Sequence, residues 1–461
     1  MNKDLERNTS RAPGRLWPWK RLSALVTSTA VIGGVLLYAA VPGASSATAA
    51  PSRAAAASGS LCGTVTMYED SVRVPDVADY EKAHPCVHIQ ATVFNYNSSN
   101  FQTKIGLLNK EGSGWPDIAW DPSDSDAGWL DTSQYHYAAA LNDGLVPNSL
   151  INQWADNSLS VCTTAGKVYC LRDNIGNNVL WYNAPLMKKF GYTIPATWAQ
   201  YEALGKEVAA QHPGYIIGDI GGFGGDDEYF WPSECTSNEL TNAPVTVEIN
   251  MSSPDCVRVA NMLDPLLKDG SISSLGFTSP DFQKKYGDTN QVLLFVGPTW
   301  LGKFVFQSSF KAPNGTWGVA MPLTWPGDDY TGDIGGGIWE VSSHASPSVQ
   351  ILSASIIEWL TTSPVYEDTA PTYPANKFAA EGWVKTQVAS DFFANNPSSV
   401  FHASANLIWP GFSNLLFDVE DIWQSSVVPA LVAGKSMSSQ LGTWQTALTN
   451  QAKVFGYTVV R

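Results

Sequence analysis

From Gly63 onward the chain alternates short apolar runs with helix-length amphipathic stretches. Gly63–Tyr68 predicts a strand, Pro75–Ala83 a helix with proline at its first position, Val87–Phe94 a second strand, Phe101–Lys110 a helix and Asp117–Trp120 a short third strand. That order predicts an α/β fold with a parallel sheet. Val168–Leu171 continues through Val179–Tyr182 into a helix from Pro185, and Pro195-Ala196-Thr197-Trp198 opens a helix to Gln211 with Thr197 as its N-cap. Further strands are predicted at Tyr215–Asp219, Val292–Val296, Trp317–Met321 and Gly335–Val341, and helices at Val257–Lys268, Ser348–Leu360 and Ile422–Ala433. No short-period repeat and no long polar linker follows residue 61. At roughly 150 residues per domain, two or three domains are expected. The lack of a visible boundary points to a chain that crosses between domains more than once.

Before Gly63 the pattern changes character. A basic stretch ending in Lys20-Arg21 precedes the apolar run Leu22 to Val41, then Pro42-Gly43 leads to Ala47-Thr48-Ala49-Ala50. Residues 1–50 read as an export signal, and residues 51–61, rich in Ala and Ser, as a flexible tether. The apolar run is long enough to span a bilayer, so an uncleaved anchor is the alternative. No lipobox cysteine follows it, because Cys62 lies in Gly59-Ser60-Leu61-Cys62, too far downstream. The charge divides at the same place. The formal net charge of the 461-residue chain is −15, but residues 1–50 contribute +4, which leaves −19 on the remainder. A body that acidic argues against nucleic-acid binding and against a polybasic membrane patch.

Six cysteines in an exported chain suit an oxidised framework. Cys162 and Cys170 bracket a turn and face each other across a hairpin. Cys62 and Cys86 each precede a strand of one strand–helix–strand unit, which brings the strand starts together. Cys235 and Cys256 are left for each other. Neither Cys-x-x-Cys spacing nor a matching histidine pair supports a metal site. His84 and His88 are separated by Pro85, and Asp124-Ser125-Asp126-Ala127-Gly128 has Tyr135 where a calcium loop needs glutamate. Gly218–Gly225 lacks the order and the lysine of a nucleotide loop. No cofactor is expected.

Eighteen tryptophans are well above ordinary usage. A pyranose presents an apolar face that stacks on a flat ring and a rim of hydroxyls that donate and accept hydrogen bonds. A sugar site therefore combines aromatic rings with fixed carboxylates and amides. That mixture recurs where strands end: Tyr68-Glu69-Asp70, Asn95-Tyr96-Asn97, Trp120-Asp121 and Asp226-Asp227-Glu228-Tyr229-Phe230-Trp231. Ligands of open α/β sheets lie beyond strand carboxyl ends. The candidate ligand-binding residues are Tyr68, Glu69, Asp70, Asn95, Trp120, Asp121, Glu228, Tyr229, Trp231, Trp300, Trp339 and Trp409. Trp339 follows Gly335-Gly336-Gly337, where glycines let a backbone approach a ligand. Trp181, Trp198, Trp359, Trp383, Trp423 and Trp444 are assigned to packing.

The order of these motifs resembles the extracellular solute-binding proteins of bacterial ABC sugar importers, the family that includes maltose-binding protein. Trp115-Pro116-Asp117-Ile118-Ala119-Trp120 is similar to its Pro-Asp-apolar strand. Val179-Leu180-Trp181-Tyr182-Asn183, with Phe190-Gly191 and Pro195-Ala196-Thr197-Trp198, is similar to its most specific signature. Glu228-Tyr229-Phe230-Trp231-Pro232 and Val296-Gly297-Pro298-Thr299-Trp300 resemble its cleft segments. The resemblance runs from residue 63 to about 450 and departs from the family's Gram-positive members in lacking a lipobox. It implies two α/β lobes joined by hinge crossings, 62–173 with 322–370 and 178–318 with 371–461, closing on a ligand. The implied activity is non-enzymatic: a monomeric receptor outside the cell that captures a mono- or oligosaccharide and presents it to an ABC permease driven by its ATPase. A secreted glycoside hydrolase is the rival reading, since paired carboxylates in an aromatic cleft would also serve it. A third is the same scaffold binding a non-sugar solute such as a polyamine or a glycerol phosphodiester. A phosphate would want Arg or Lys, and the named cleft segments hold neither.

Overall fold

The computed structural model describes residues 61–96, 100–122, 127, 135–235, 237–239, 246–411 and 415–461. The export segment, residues 51–60 of the tether and Asp124–Asp126 lie outside the described residues. Along the chain run β1 (Gly63–Glu69), α1 (Val74–Ala83), β2 (Val87–Val93), α2 (Asn100–Glu111), β3 (Ile118–Asp121), β4 (Cys170–Arg172), β5 (Asn178–Asn183), α3 (Trp198–Gln211), α4 (Gly225–Tyr229), α5 (Pro254–Asp269), β6 (Leu294–Pro298), β7 (Trp317–Ala320), β8 (Ile338–Val341), α6 (Pro347–Leu360), α7 (Lys377–Ala389), α8 (Val419–Ser426) and α9 (Leu441–Val454), among shorter pieces.

The first sheet has the order β2-β1-β3-β8-β4. β1 runs parallel to β2 in register Gly63↔Val87 and parallel to β3, as a strand–helix–strand unit requires. β8 runs antiparallel to both β3 and β4, so the sheet is mixed rather than wholly parallel. It enters from the far half of the molecule and not through a local helical crossover, so the handedness rule for such units does not set its direction.

β6-β5-β7 form the second sheet, antiparallel throughout. The two-residue period of its strands sorts side chains between two cores. Val179, Trp181 and Phe295 face the core that continues to the first sheet, whereas Leu180, Leu294 and Val296 face a second core. The first core packs Val65, Met67 and Ile118 under Val77 and Tyr80 of α1, Ile105 of α2 and Ile356 and Ile357 of α6. The second gathers Tyr201 and Val208 of α3, Val259 and Leu263 of α5, Trp423 of α8 and Trp444 of α9.

Local chemistry accounts for the element ends. Asn183 caps the Ala184–Phe190 helix, its side chain accepting from Leu186 N at 3.2 Å, and Gly191 closes that helix at φ 74°. Thr197 caps α3 through Gln200 N at 3.2 Å. Ile422–Ala433 divides in two: α8 ends at Ser426, and Pro429 opens a second short helix, Val428–Val432. Of Tyr215–Asp219 only Gly218–Asp219 pairs as a strand, with Ile272–Ser273, plus one bridge at Ile216. A Cβ on Gly218 would stand 2.6–2.7 Å from the Tyr229 and Tyr201 hydroxyls, so rings of the second core close in on this end.

The chain passes between the sheets along 172–178 and again along 331–337, and these two crossings pair with each other. Asn178 N donates to Gly332 O at 2.9 Å, Ile334 N to Gly176 O at 3.0 Å and Asp173 N to Gly337 O at 2.9 Å. Asp333 accepts from Gly176 N at 2.6 Å and from Arg172 Nη1 at 2.7 Å, a pair with no solvent exposure on either side chain. A Cβ on Gly176 would lie 2.0 Å from Ile334 O, so only glycine permits this approach. Disulfides join Cys62 to Cys86, Cys162 to Cys170 and Cys235 to Cys256.

Candidate functional site

β1 delivers Glu69 and Asp70 to the start of a tight loop. Asp70 Oδ1 accepts from Val72 N at 3.0 Å and Arg73 N at 3.1 Å, which turns the chain so that the Arg73 side chain points back toward the sheet. There Arg73 pairs through Nη1 with Asp70 at 3.1 Å and through Nη2 with Asp173 at 2.9 Å. Its guanidinium lies 3.5 Å over the Trp120 ring. Asp173 also accepts from Trp339 Nε1 at 2.9 Å, and Trp120 and Trp339 meet edge to face at 6.5 Å. Tyr96 adds its ring to Trp120 at 5.7 Å, while Tyr68 stacks on Phe94 at 5.4 Å.

This wall is therefore aromatic with one internal cation. Trp120 is 3% exposed and Trp339 1% exposed, so any face they offer a ligand is edge-on or shared with Arg73. Glu69 is buried, and burial first, then the Asp70 charge, pushes its carboxyl up to about 7, with Arg73 pulling the other way. Asp121 is buried, pairing with Ile338 in the sheet. Asn95 is exposed.

A second wall comes from the far side of the crossings. The loop through Gly224, which adopts φ 84°, leads into α4, where Asp226, Asp227 and Glu228 occupy the first turn. Glu228 is fully buried. Burial first, then the charges of Asp219, Glu420 and Asp226, push its carboxyl well above the ordinary carboxylate range. Tyr229 turns away from its neighbours into the second core, its ring beside Trp198 and its hydroxyl 3.2 Å from that of Tyr201. Trp231 turns the other way and meets Trp409 at 6.2 Å. Trp300 is partly exposed, lies 5.9 Å from Phe277 and donates from Nε1 to Ile334 O at 2.8 Å.

The crossing 331–337 touches both walls. Gly337 has no room for a Cβ because the Trp120 indole would stand 2.5 Å away, and Gly332 has none because Asp227 O would stand at 2.0 Å. Ile334 packs on Gly224 and carries the Trp300 hydrogen bond. Thr331 exchanges backbone hydrogen bonds with Leu407 and Trp409. Trp120, Trp300, Trp409 and the Asp227-Glu228 turn thus abut one seven-residue segment, and Trp339 follows it by two residues with its ring against Trp120. Tyr68, Asp70 and Asn95 sit at the rim of the first wall, and Tyr229 is the candidate that the fold carries elsewhere.

Several residues here were not foreseen. Arg73 lies three residues after Asp70 and could have been suspected from that adjacency. Asp173, Glu420 and the Thr331–Gly337 crossing carry no local signature, since they act through neighbours distant in sequence. Asn178 is similar: fully buried at the start of β5, it has neither amide atom hydrogen-bonded, and its Nδ2 lies beside Gly332. Among the described residues, Asp226, Asp227 and Glu420 form a group whose geometry could hold a metal ion. No helix of the described residues is long and apolar enough to cross a membrane.

With this geometry in place, comparison with known proteins is direct. The model of the bacterial extracellular solute-binding protein family matches residues 68–367. Among solved structures, an ABC transporter associated binding protein from Bifidobacterium animalis subsp. lactis Bl-04, in complex with β-1,6-galactobiose, superposes with a TM-score of 0.67 at 18% identity. The match covers 87% of this chain and 100% of that one. The galacto-N-biose-/lacto-N-biose I-binding protein of Bifidobacterium longum, in complex with lacto-N-biose, gives 0.67 at 19% identity over 87% and 100%. A cyclic α-maltosyl-1,6-maltose binding protein of Arthrobacter globiformis gives 0.65 at 18% identity over 85% and 100%. No curated protein sequence matches the chain. The shared architecture is the two-lobed one.

Proposed function

The chain belongs to the bacterial extracellular solute-binding proteins, and from that premise we propose that it is a carbohydrate receptor that captures a mono- or oligosaccharide and delivers it to an ABC permease without chemically changing it. The observation that carries this reading is the convergence of Trp120, Trp300, Trp409 and the Asp227-Glu228 turn on the crossing 331–337, with the Trp339 ring against Trp120. Flat rings and buried carboxyl groups at a two-sided cleft are what a pyranose needs from a protein. The saccharide complexes of the neighbouring structures point the same way. Glu69, its carboxyl pushed up to about 7, would accept from or donate to a sugar hydroxyl according to pH, and the buried Glu228 carboxyl would face a second hydroxyl.

Among the described residues the fold brings two arginines to this region, and both are engaged: Arg73 by Asp70 and Asp173, and Arg172 by Asp333 and the Gly335 carbonyl. A neutralised guanidinium is poorly placed to hold a phosphate, which favours an uncharged sugar over a phosphodiester. We assign 62–173 to one lobe and 178–318 to the other, with the crossings 172–178 and 331–337 as hinge. This moves the expected second boundary from 322 to about 331, since Leu323 and Trp325 pack in the second core. The segment up to 370 goes with the first lobe and 371–461 with the second. The protein acts as a monomer outside the cell after export through residues 1–50, with retention of that segment as an anchor as the alternative.

The test is a titration of purified protein with galacto- and malto-oligosaccharides, following tryptophan emission and, in parallel, product formation by chromatography. A saturable emission change with intact sugar supports the receptor. Turnover would establish the glycoside hydrolase reading instead, and silence toward every sugar with a melting shift by polyamine would move the ligand class.

A further inference from the structure

Behind the second wall, α8 grips the loop that carries it. Trp423 Nε1 donates to Gly222 O at 3.3 Å, and Gly224 N donates to Glu420 Oε2 at 3.0 Å. That leaves Glu420 Oε1 and Asp226 Oδ1 buried and without a hydrogen-bond partner, on residues only 6% and 1% exposed. Asp226, Asp227 and Glu420 each present a carboxylate oxygen, and these oxygens lie within 4.8 Å of one another. The charges that act most strongly on Glu228 and Glu420 are all carboxylates, and no lysine or arginine stands among them. Buried carboxylates are stable only when paired, protonated or bound to a metal. Something positive belongs between these oxygens.

We propose that Asp226, Asp227 and Glu420 form a divalent-cation site, suited to Ca²⁺, that pins the cleft loop 222–231 to α8. Oxygens all within 4.8 Å of one another can share one ion, and Ca²⁺ accepts six to eight oxygens in a flexible geometry where Mg²⁺ demands a near-ideal octahedron. The donor set is all oxygen, the hard-ligand choice of Ca²⁺. Three protein carboxylates leave further positions to water, which places the affinity near the 10⁻⁴ to 10⁻³ M, on an order-of-magnitude scale, of extracellular calcium modules. Neither local spacing nor a motif announces such a site, because its ligands come from positions 226–227 and 420. The site is independent of which solute the cleft takes. Its role is to fix the turn that carries Glu228 and Trp231.

The test uses the exported chain stripped with EDTA. Tb³⁺ emission excited through tryptophan, with Trp423 and Trp231 as nearby donors, should saturate at one ion per chain and be displaced by Ca²⁺. Ca²⁺ at about 10 mM should raise the melting temperature by about 2–3 °C, as mass action on the native state requires. Glu420→Gln keeps an acceptor for Gly224 N but should weaken Ca²⁺ at least about tenfold, and Asp226→Asn should abolish the Tb³⁺ signal. Absence of stoichiometric Tb³⁺ and Ca²⁺ binding to the unaltered protein overturns the proposal and leaves a shared proton between Asp226 and Glu420. So does Tb³⁺ binding of unchanged strength in Glu420→Gln. If Asp226→Asn does not fold, the unaltered protein and Glu420→Gln decide.

Discussion

Two clusters of buried charge flank the crossing 331–337, and they solve one problem in opposite ways. On the first wall, Arg73 lies between Asp70 and Asp173 with its flat face on Trp120, so the chain supplies its own cation. On the second, Asp226, Asp227, Glu228 and Glu420 crowd together with no basic side chain among the charges that act most strongly on Glu228 and Glu420. The difference teaches where each wall's rigidity comes from. One is locked by groups built into the sequence, and the other needs protons or a cation taken from solvent.

The sharpest way to break this contrast is to remove the internal cation. Arg73→Met leaves Asp173 buried and unpaired and strips the cover from Trp120, so stability should fall by about 3–5 kcal/mol, read from the urea midpoint. A loss below about 1 kcal/mol would mean that the first wall is no better compensated than the second.

Next in size is the ligand. Trp300, partly exposed and held by a single hydrogen bond to Ile334 O, has a face to offer, whereas Trp120 has one covered by Arg73. Trp300→Ala should weaken sugar affinity by about 10- to 100-fold while moving the melting temperature little, by the loss of a stacked ring. Equal affinity in the variant, measured by emission titration or calorimetry, would displace the site from this crossing.

A pH experiment probes the carboxylates that share Arg73. Asp76 is buried beside this cluster, and burial first, then Asp173, push its carboxyl up to about 8, against the pull of Arg73. Its unfolded value is about 4. Between those values the folded state holds a proton that the unfolded state has released, so stability falls as pH rises, and the loss is complete above about 8. Asp76→Asn should flatten the fall in urea midpoint between about pH 5.5 and 8.5 by about 1–2 kcal/mol. An unchanged slope would remove Asp76 from the account.

The smallest effect is expected on the second wall. In EDTA, Glu420→Gln should change stability by less than about 1 kcal/mol, because the amide still accepts from Gly224 N while one like charge is removed. A large loss would show that this cluster, too, depends on an internal partner, and the contrast would collapse.

Much of this was legible beforehand. The alternation at Gly63–Tyr68, Val87–Phe94 and Val179–Tyr182 matches strands within a residue or two, since burial on a pleated sheet imposes its period locally. Caps at Asn183 and Thr197 and the turn glycine at Gly191 are equally local. The rings expected at a cleft were identifiable as types placed at strand ends. Their facing was not, as Tyr229 and Trp231 show: two residues apart on one short turn, they enter different cores. A run of polar and aromatic residues does not say which side of a turn meets which core.

What the sequence by itself determined was therefore whatever depends on neighbours along the chain: strand and helix periods, helix caps and an order of motifs that resembles the solute-binding family. The tertiary structure alone decided that β8 runs against its neighbours and that Arg73 covers Trp120. It also decided that three carboxylates from residues 226–227 and 420 share one buried space. The physical reason is range. Caps and periodicity act over a few residues, whereas burial and charge act through space, and the crossings at 172–178 and 331–337 bring together residues that the chain keeps far apart.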